Sequence, residues 1–203
     1  MYKKARLHFK KADPQLYALA QKHDIPDILP SKTIYEDIIW TIVGQQLSGK
    51  AGDTIYGRFE LLFPKKKITP KGVLKLTEAK MRSAGLSGAK VRAIRNLSEM
   101  IESGNLDLKT LATKTDDEVM NDLTKVTGIG PWTAEMVLMF SLGRTDIFSK
   151  GDLILKRQIM KIYGLKDEKK IDAIIQAWSP WKTYAAKVLW RSKDEGGSKK
   201  NKI

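Results

Sequence analysis

The stretch that decides the fold is LTKVTGIGPWTAEMVLMF, residues 123–140. Two glycines flank an isoleucine, a proline follows at once, and apolar residues then recur at helical spacing. Proline suits the first position of a helix, whose N–H has no intrahelical acceptor. Glycine reaches positive φ without a Cβ clash, so Gly128 and Gly130 allow a tight turn ahead of Pro131. The predicted unit is a helix, a glycine hairpin and a second helix, whose face of Ala134, Val137, Leu138 and Ser141 is narrow enough for close packing. Two readings of the hairpin are open. It is a structural turn, or its backbone N–H groups and the positive end of the second helix receive an anion such as phosphate.

Helix signals continue on both sides. Asp13-Pro14 offers an N-cap and a proline at the first helical position, ahead of Leu16, Leu19 and Ala20. Thr33 and Glu36 have capping-box spacing before Ile34, Ile38, Ile39, Ile42 and Val43, which share one face. That helix should end near GQQLSGKAG, where a polar pair, Gln45-Gln46, interrupts the apolar face. Thr69-Pro70 opens a short helix, Val91, Ile94, Leu97 and Ile101 mark another, and Thr115 with Glu118 box the next. LILKRQIMKIYG and KTYAAKVLW read as the last ones. Only RLHF, residues 6–9, alternates like a strand, and it is too short to define a sheet. An all-α chain of about ten short helices follows. KKK at 65–67 is a solvated turn or a binding patch, and RSKDEGGSKKNKI at 191–203 reads as a disordered basic tail.

The 203 residues carry 37 Lys and Arg against 23 Asp and Glu, a net charge of +14. Such a surplus bears on partners rather than fold, and it favours polyanions, nucleic acid before an acidic membrane surface. A very soluble cationic protein is the plain alternative. The lack of cysteine excludes disulfides, thiolate zinc and an iron–sulfur cluster. His8 and His23 lie in a lysine-rich stretch with no further ligand pattern, so no transition-metal centre is expected. The apolar run MVLMF is far shorter than the ~20 residues of a membrane span. MYKKARLHFKKA has no hydrophobic secretory core, and a soluble, intracellular protein is expected.

Taken in order, these segments resemble a known family. LTKVTGIGPWTAEMVLMFSLGRTDIFSKGDLILKR is similar to the hairpin, Gly/Pro-rich loop and aspartate of the helix-hairpin-helix (HhH-GPD) DNA glycosylase superfamily. Within it the closest resemblance is to the 3-methyladenine DNA glycosylase II branch. IVGQQLSGKA resembles that branch's DNA-penetrating segment, GLSGAKVRAIRNL its next helix pair, and PWKTYAAKVLW its C-terminal helix. The resemblance implies an all-α, two-lobed fold with the active-site cleft between lobes. Residues 34–142, with the hairpin unit at 117–142, would form one lobe, and 1–33 plus 143–190 the other. It also implies a monomeric, monofunctional glycosylase that flips alkylated purines (the 3-methyladenine and 7-methylguanine class) out of double-stranded DNA and leaves an abasic site. It would work at the nucleoid in the cytoplasm of a prokaryote, or in the nucleus of a eukaryote. A non-catalytic helix-hairpin-helix DNA-binding module and a glycosylase for oxidised or mismatched bases are the alternatives.

The same resemblance assigns roles. Asp152 takes the place of the catalytic aspartate, which would stabilise the positive charge that builds on the sugar as the N-glycosidic bond breaks. Ser149 and Asp152 also have capping-box spacing, which gives Asp152 a structural role compatible with the first. Trp132 and Trp190 fall where the family has pocket tryptophans, and Met136 replaces an aromatic residue. Trp40 reaches the pocket or packs in the core, whereas Trp178 and Trp181 read as core. Superfamily members that also cut the backbone carry a lysine at the position of Trp132, although Lys150 and Lys156 keep a lyase alternative open. Gln46, followed by Gln45 or Leu47, matches the wedge that fills the hole left by the flipped base, unless the glutamines merely end a helix. Backbone N–H groups around Gly128, Gly130 and Trp132, with the Thr133 hydroxyl, would grip phosphate. Carbonyls near Thr124, Val126 and Ile129 would hold a monovalent cation, Na+ or K+, and no cofactor would be required.

Overall fold

The computed structural model describes residues 1–193, and among them every regular element is helical. The order begins α1 (Tyr2–Ala12), α2 (Pro14–Ala20), α3 (Ile34–Gly44), α4 (Gly49–Glu60), α5 (Pro70–Lys75) and α6 (Glu78–Ser83). It continues α7 (Gly88–Glu102), α8 (Asp116–Thr124), α9 (Pro131–Met136), α10 (Leu153–Tyr163), α11 (Glu168–Ala177) and α12 (Lys182–Ser192). No helix among the described residues is long and apolar enough to cross a membrane. The chain divides into two compact units, one holding Met1–Leu29 with the residues from Gly143 on, the other Pro30–Leu142.

Local chemistry accounts for most helix starts. Asp13 caps α2 by accepting the N–H of Leu16 at 2.9 Å, with Pro14 at the first position. Thr69, Thr77, Ser87 and Asp167 cap α5, α6, α7 and α11 through their side-chain oxygens. The capping box at Thr115 and Glu118 forms in both directions. The one expected at Thr33 does not: its hydroxyl turns to Asp37 Oδ1 instead of the helix backbone. RLHF is not strand but part of α1. Tyr2, Ala5 and Phe9 are buried there at spacings of three and four, a helical stripe that overrides the short alternation.

In the central unit the isoleucine face of α3 is buried beyond its first turn: Ile34 is partly exposed, while Ile38, Ile39 and Ile42 are inaccessible, as are Phe59, Met81, Ile94 and Leu97. Each such side chain contributes about 1.5–3 kcal/mol relative to exposure. Gly52 lets α4 lie close on α3, since a Cβ there would stand 3.3 Å from the Gly44 Cα. Residues 30–33, grouped with the N-terminal helix in the sequence reading, belong to this unit, and the N–H of Ser31 donates to the carbonyl of Ser141 at 2.8 Å. After α9 the chain winds on as a π-turn, Val137–Ser141, which buries Val137, Leu138, Met139 and Ser141. KKK at 65–67 is an exposed turn with Lys65 and Lys66 at positive φ.

The other unit packs α1, α2, α10, α11 and α12 around Phe9, Leu16, Leu155, Ile159, Trp178, Tyr184 and Leu189. Aromatic pairs bind it together, Tyr2 on Tyr184 at 5.8 Å and Phe148 on Trp178 at 5.5 Å. Arg191 and Ser192, counted with the basic tail, are the last residues of α12. The tail from 194 on lies outside the described residues.

Candidate functional site

Asp152 stands at the N-cap of α10, where its Oδ1 accepts the N–H groups of Ile154 at 2.8 Å and Leu155 at 2.9 Å. The indole Nε1 of Trp190, on α12, donates to the same oxygen at 3.3 Å. Asp152 is itself the cap, and its own N–H donates to the Ser149 carbonyl at 3.2 Å. The helix begins only at Leu153 because the carboxylate supplies the acceptors that the first turn lacks. Behind the carboxylate, Leu155, Ile159, Val188 and Leu189 share the core, so the packing of α10 on α12 places Asp152 and Trp190 together.

The loop leading to Asp152 is fastened by a residue that the sequence reading missed. Thr183, fully buried at the start of α12, donates its hydroxyl to the Arg144 carbonyl at 2.7 Å and accepts the Ile147 N–H at 3.1 Å. Its own N–H donates to the Thr145 carbonyl at 2.9 Å. A threonine inside KTYAAKVLW has no local signature of such a role, since its partners lie about 40 residues away in a segment without periodicity. Lys150 and Lys156 each meet an acid of α11: Lys150 Nζ is 2.7 Å from Asp172, and Lys156 Nζ is 4.0 Å from Glu168.

In the central unit, the hairpin between α8 and α9 follows its expected form with one correction. Gly128 has φ of +85°, and a Cβ there would stand 2.7 Å from the Ala93 Cβ, so both backbone and packing require glycine. Gly130 does not take positive φ. Its φ is −92° and ψ 178°, and a Cβ would meet nothing within 4 Å. Nothing in the fold demands glycine at this position, and its effect is to keep side-chain bulk away from the start of α9. That start has Pro131 at the first position and no side-chain cap. Ile129 is buried between the helices, and its N–H donates to the Val126 carbonyl at 3.0 Å. Thr124 turns its hydroxyl back to the Met120 carbonyl at 2.8 Å.

Thr133 departs from expectation. It is 2% exposed, and its hydroxyl accepts from Gln45 Nε2 at 2.9 Å, so it faces inward rather than offering itself to a phosphate. Gln45 also donates to the Gly128 carbonyl at 3.1 Å. This amide is committed to the hairpin, which removes Gln45 from the wedge candidates. Gln46 and Leu47 remain: both are exposed, and Gln46 holds φ of +59°, a left-handed conformation that costs a side-chain-bearing residue about 1–2 kcal/mol. Lys90 of α7 steadies the same corner by donating its amine to the carbonyls of Val43 at 2.6 Å and Gln45 at 3.0 Å. Burial pulls that amine below the ordinary lysine value. Asn96, also on α7, accepts the Thr127 N–H at 2.8 Å. Lys90 and Asn96 were not foreseen, because on a helix of mixed polarity they resemble any other solvated side chain.

Trp132 is half-buried in the first turn of α9, with Met136 buried one turn on. Trp40 is neither core nor enclosed. Half exposed, it donates its indole N–H to Asp53 of α4 at 3.2 Å. Trp178 is fully buried, as expected, and Trp181 packs partly buried against the same core. No group of three or more His, Asp or Glu among the described residues is placed to hold a metal.

Residues 39–183 match the HhH-GPD superfamily of base excision DNA repair proteins. The crystal structure of a DNA-3-methyladenine glycosidase from Bacillus halodurans superposes with a TM-score of 0.78 at 35% identity, covering 91% of this chain and 88% of that one. A Schizosaccharomyces pombe 3-methyladenine DNA glycosylase in complex with abasic DNA gives 0.84 at 26% identity, over 94% of this chain and 97% of that one. By sequence, DNA-3-methyladenine glycosylase 1 of the same yeast is 28% identical, over 93% of this chain and 86% of its own.

Proposed function

Because the chain belongs to the HhH-GPD superfamily of base excision DNA repair proteins, we propose that it is a monofunctional DNA glycosylase for alkylated purines in double-stranded DNA. The observation that carries the reading is Asp152, pinned at the head of α10 by two backbone N–H groups and the Trp190 indole. Breaking the bond between C1′ and the base nitrogen leaves positive charge on the sugar, and a fixed carboxylate stabilises it without having to reorganise. The same group accepts a proton as water adds to C1′. A purine alkylated at N3 or N7 is already cationic and departs neutral, so one carboxylate suffices and no acid need protonate the leaving base.

The base must first leave the stack. In this reading Gln46, or Leu47 beside it, enters the space the base vacates. Trp132 and Trp190 offer electron-rich faces on which a cationic base stacks better than a neutral one. Met136, one turn after Trp132, brings a flexible thioether where an aromatic residue would stand. Backbone N–H groups after Gly130 hold the phosphate. The carbonyls of Thr124, Val126 and Ile129 are hard oxygen donors suited to Na+ or K+. That of Val126 already accepts one N–H and keeps a second lone pair for the ion. Exchanging alkali ions for choline at constant ionic strength should then weaken DNA binding, and unchanged affinity removes the ion. Trp132 cannot form a Schiff base, and both nearby lysines have acid partners, so the product is an abasic site on an uncut strand. The protein acts as a monomer in this reading, which sedimentation at working concentration tests.

The experiment is incubation with methylated duplex DNA. Free 3-methyladenine and 7-methylguanine should be released, with strand scission only after alkali and no adduct trapped by borohydride. Affinity should fall steeply with salt as counterions are released. Tight binding of methylated DNA with no base released would leave only a structural DNA-binding module.

A further inference from the structure

The α3–α4 loop and the hairpin, taken above as wedge and phosphate grip, are joined by one side chain. Both N–H bonds of the Gln45 amide are used across this junction, one on the Gly128 carbonyl and one on the Thr133 hydroxyl. Gly128 and Thr133 bracket the segment whose N–H groups would take the phosphate. Immediately after Gln45 the backbone turns left-handed at Gln46, which leaves that side chain exposed. On the opposite side, Lys90 fixes the carbonyl of Gln45, and Asn96 fixes the N–H of Thr127. End of α3, face of α7 and hairpin thus form a closed ring of hydrogen bonds, and the Gln45 amide is the bond that crosses it.

We infer that Gln45 is a positioning residue that couples phosphate binding at the hairpin to insertion of the α3–α4 loop into the base stack. The inference rests on the DNA glycosylase reading of these two segments. Unstacking a base is unfavourable, and a loop free to recoil would relax instead of wedging. An amide fixed to the hairpin transmits the position of the bound backbone directly to the next residue, Gln46. Misplacement by about 1 Å is enough to cost a catalytic step ~10²-fold. A left-handed glutamine held at both ends fits this account, since strained conformations persist where surrounding contacts over-determine them.

Two near-isosteric variants test it, Gln45→Met from the loop side and Thr133→Val from the hairpin side. Each is compared with wild type on three duplexes: undamaged, carrying 2-aminopurine beside a tetrahydrofuran abasic analogue, and carrying a single 7-methylguanine. Both variants should bind the undamaged duplex within about threefold of wild type while single-turnover excision at saturating protein falls about tenfold or more. The 2-aminopurine unstacking signal should fall with it, as in a Gln46→Ala control. Excision and unstacking within about twofold of wild type in both variants would overturn the coupling. So would a loss of undamaged-duplex binding equal to the loss of excision, which would make the amide a plain support of the hairpin. If wild type releases no base yet its unstacking signal depends on Gln45, the coupling stands and the glycosylase reading falls.

Discussion

Asp13 and Asp152 are each 7% exposed, each caps a helix through Oδ1, and each accepts an indole N–H, from Trp178 at 2.7 Å and from Trp190 at 3.3 Å. Their surroundings differ. At Asp13 the Leu16 N–H takes Oδ1 while Oδ2 receives both the Trp178 indole and the Tyr163 hydroxyl, so both oxygens are engaged from α2, α10 and the segment after α11. Trp178 is fully buried. At Asp152 the two N–H groups of its own helix and the indole converge on Oδ1, and that indole belongs to a half-buried tryptophan near the end of α12. Burial and capping do not by themselves mark a carboxylate that does chemistry. Asp13 ties α2, α10 and the segment after α11 together, whereas Oδ1 of Asp152 takes two N–H groups of its own helix and an indole from α12.

The largest effect should come from Asp152→Asn. Asparagine is as good an N-cap, so melting temperature and DNA affinity should scarcely move while excision falls about 10³-fold or more. Excision at the wild-type rate would break the contrast outright. Asp13→Ala should do the reverse. It strips an acceptor from the Leu16 N–H, the Trp178 indole and the Tyr163 hydroxyl, which should cost about 2–5 kcal/mol in denaturant unfolding. Excision per folded molecule should stay within about twofold, since the site's own bonds are untouched. A milder pair compares the indoles. Trp190→Phe should slow single-turnover excision by about three- to tenfold with a small stability change, and Trp178→Phe should lower stability by about 1 kcal/mol with excision intact. Equal effects from the two would erase the distinction.

The smallest effect concerns alkali. Burial, then the bond to Asp13 and its charge, pushes the Tyr163 hydroxyl far above its ordinary value. A raised folded value means stability that is complete below the unfolded tyrosine value, near pH 10, and is lost as pH climbs beyond it. Tyr163→Phe should therefore flatten the alkaline fall of the urea midpoint, and an unchanged slope would separate Tyr163 from the Asp13 network. Other tyrosines whose hydroxyls partial burial pushes up, Tyr35 above all, keep part of that slope in the variant.

Much of this molecule is legible one segment at a time. The caps at Asp13, Thr69 and Thr115, the apolar periodicity of α3, and Pro131 at the start of α9 all depend on neighbours within four residues. Charge and composition point to a polyanion partner, and the ordered motifs resemble those of a DNA repair glycosylase. The failures were of two kinds. RLHF shows a local alternation overruled by packing in α1, and Thr33 a hydroxyl drawn to the Asp37 carboxylate instead of the helix backbone. At Gln45, Thr133 and Gly130 the residue type is legible in the sequence and the conformation is not. An amide in a loop is equally able to point into a base stack or back at a hairpin, and only the position of Gly128, 83 residues away, decides.

The sequence alone determined the helical class, through spacing and capping within each segment, while its resemblance to a known family supplied the family and the candidate aspartate. Tertiary structure alone decided that Trp190 donates to Asp152, that Gln45 serves the hairpin, and that Asp13 is spent on Tyr163 and Trp178. The physical reason is the range of the interactions. Caps and periodicity are settled within a helical turn, whereas a hydrogen bond between distant segments exists only once the apolar cores have brought their backbones together.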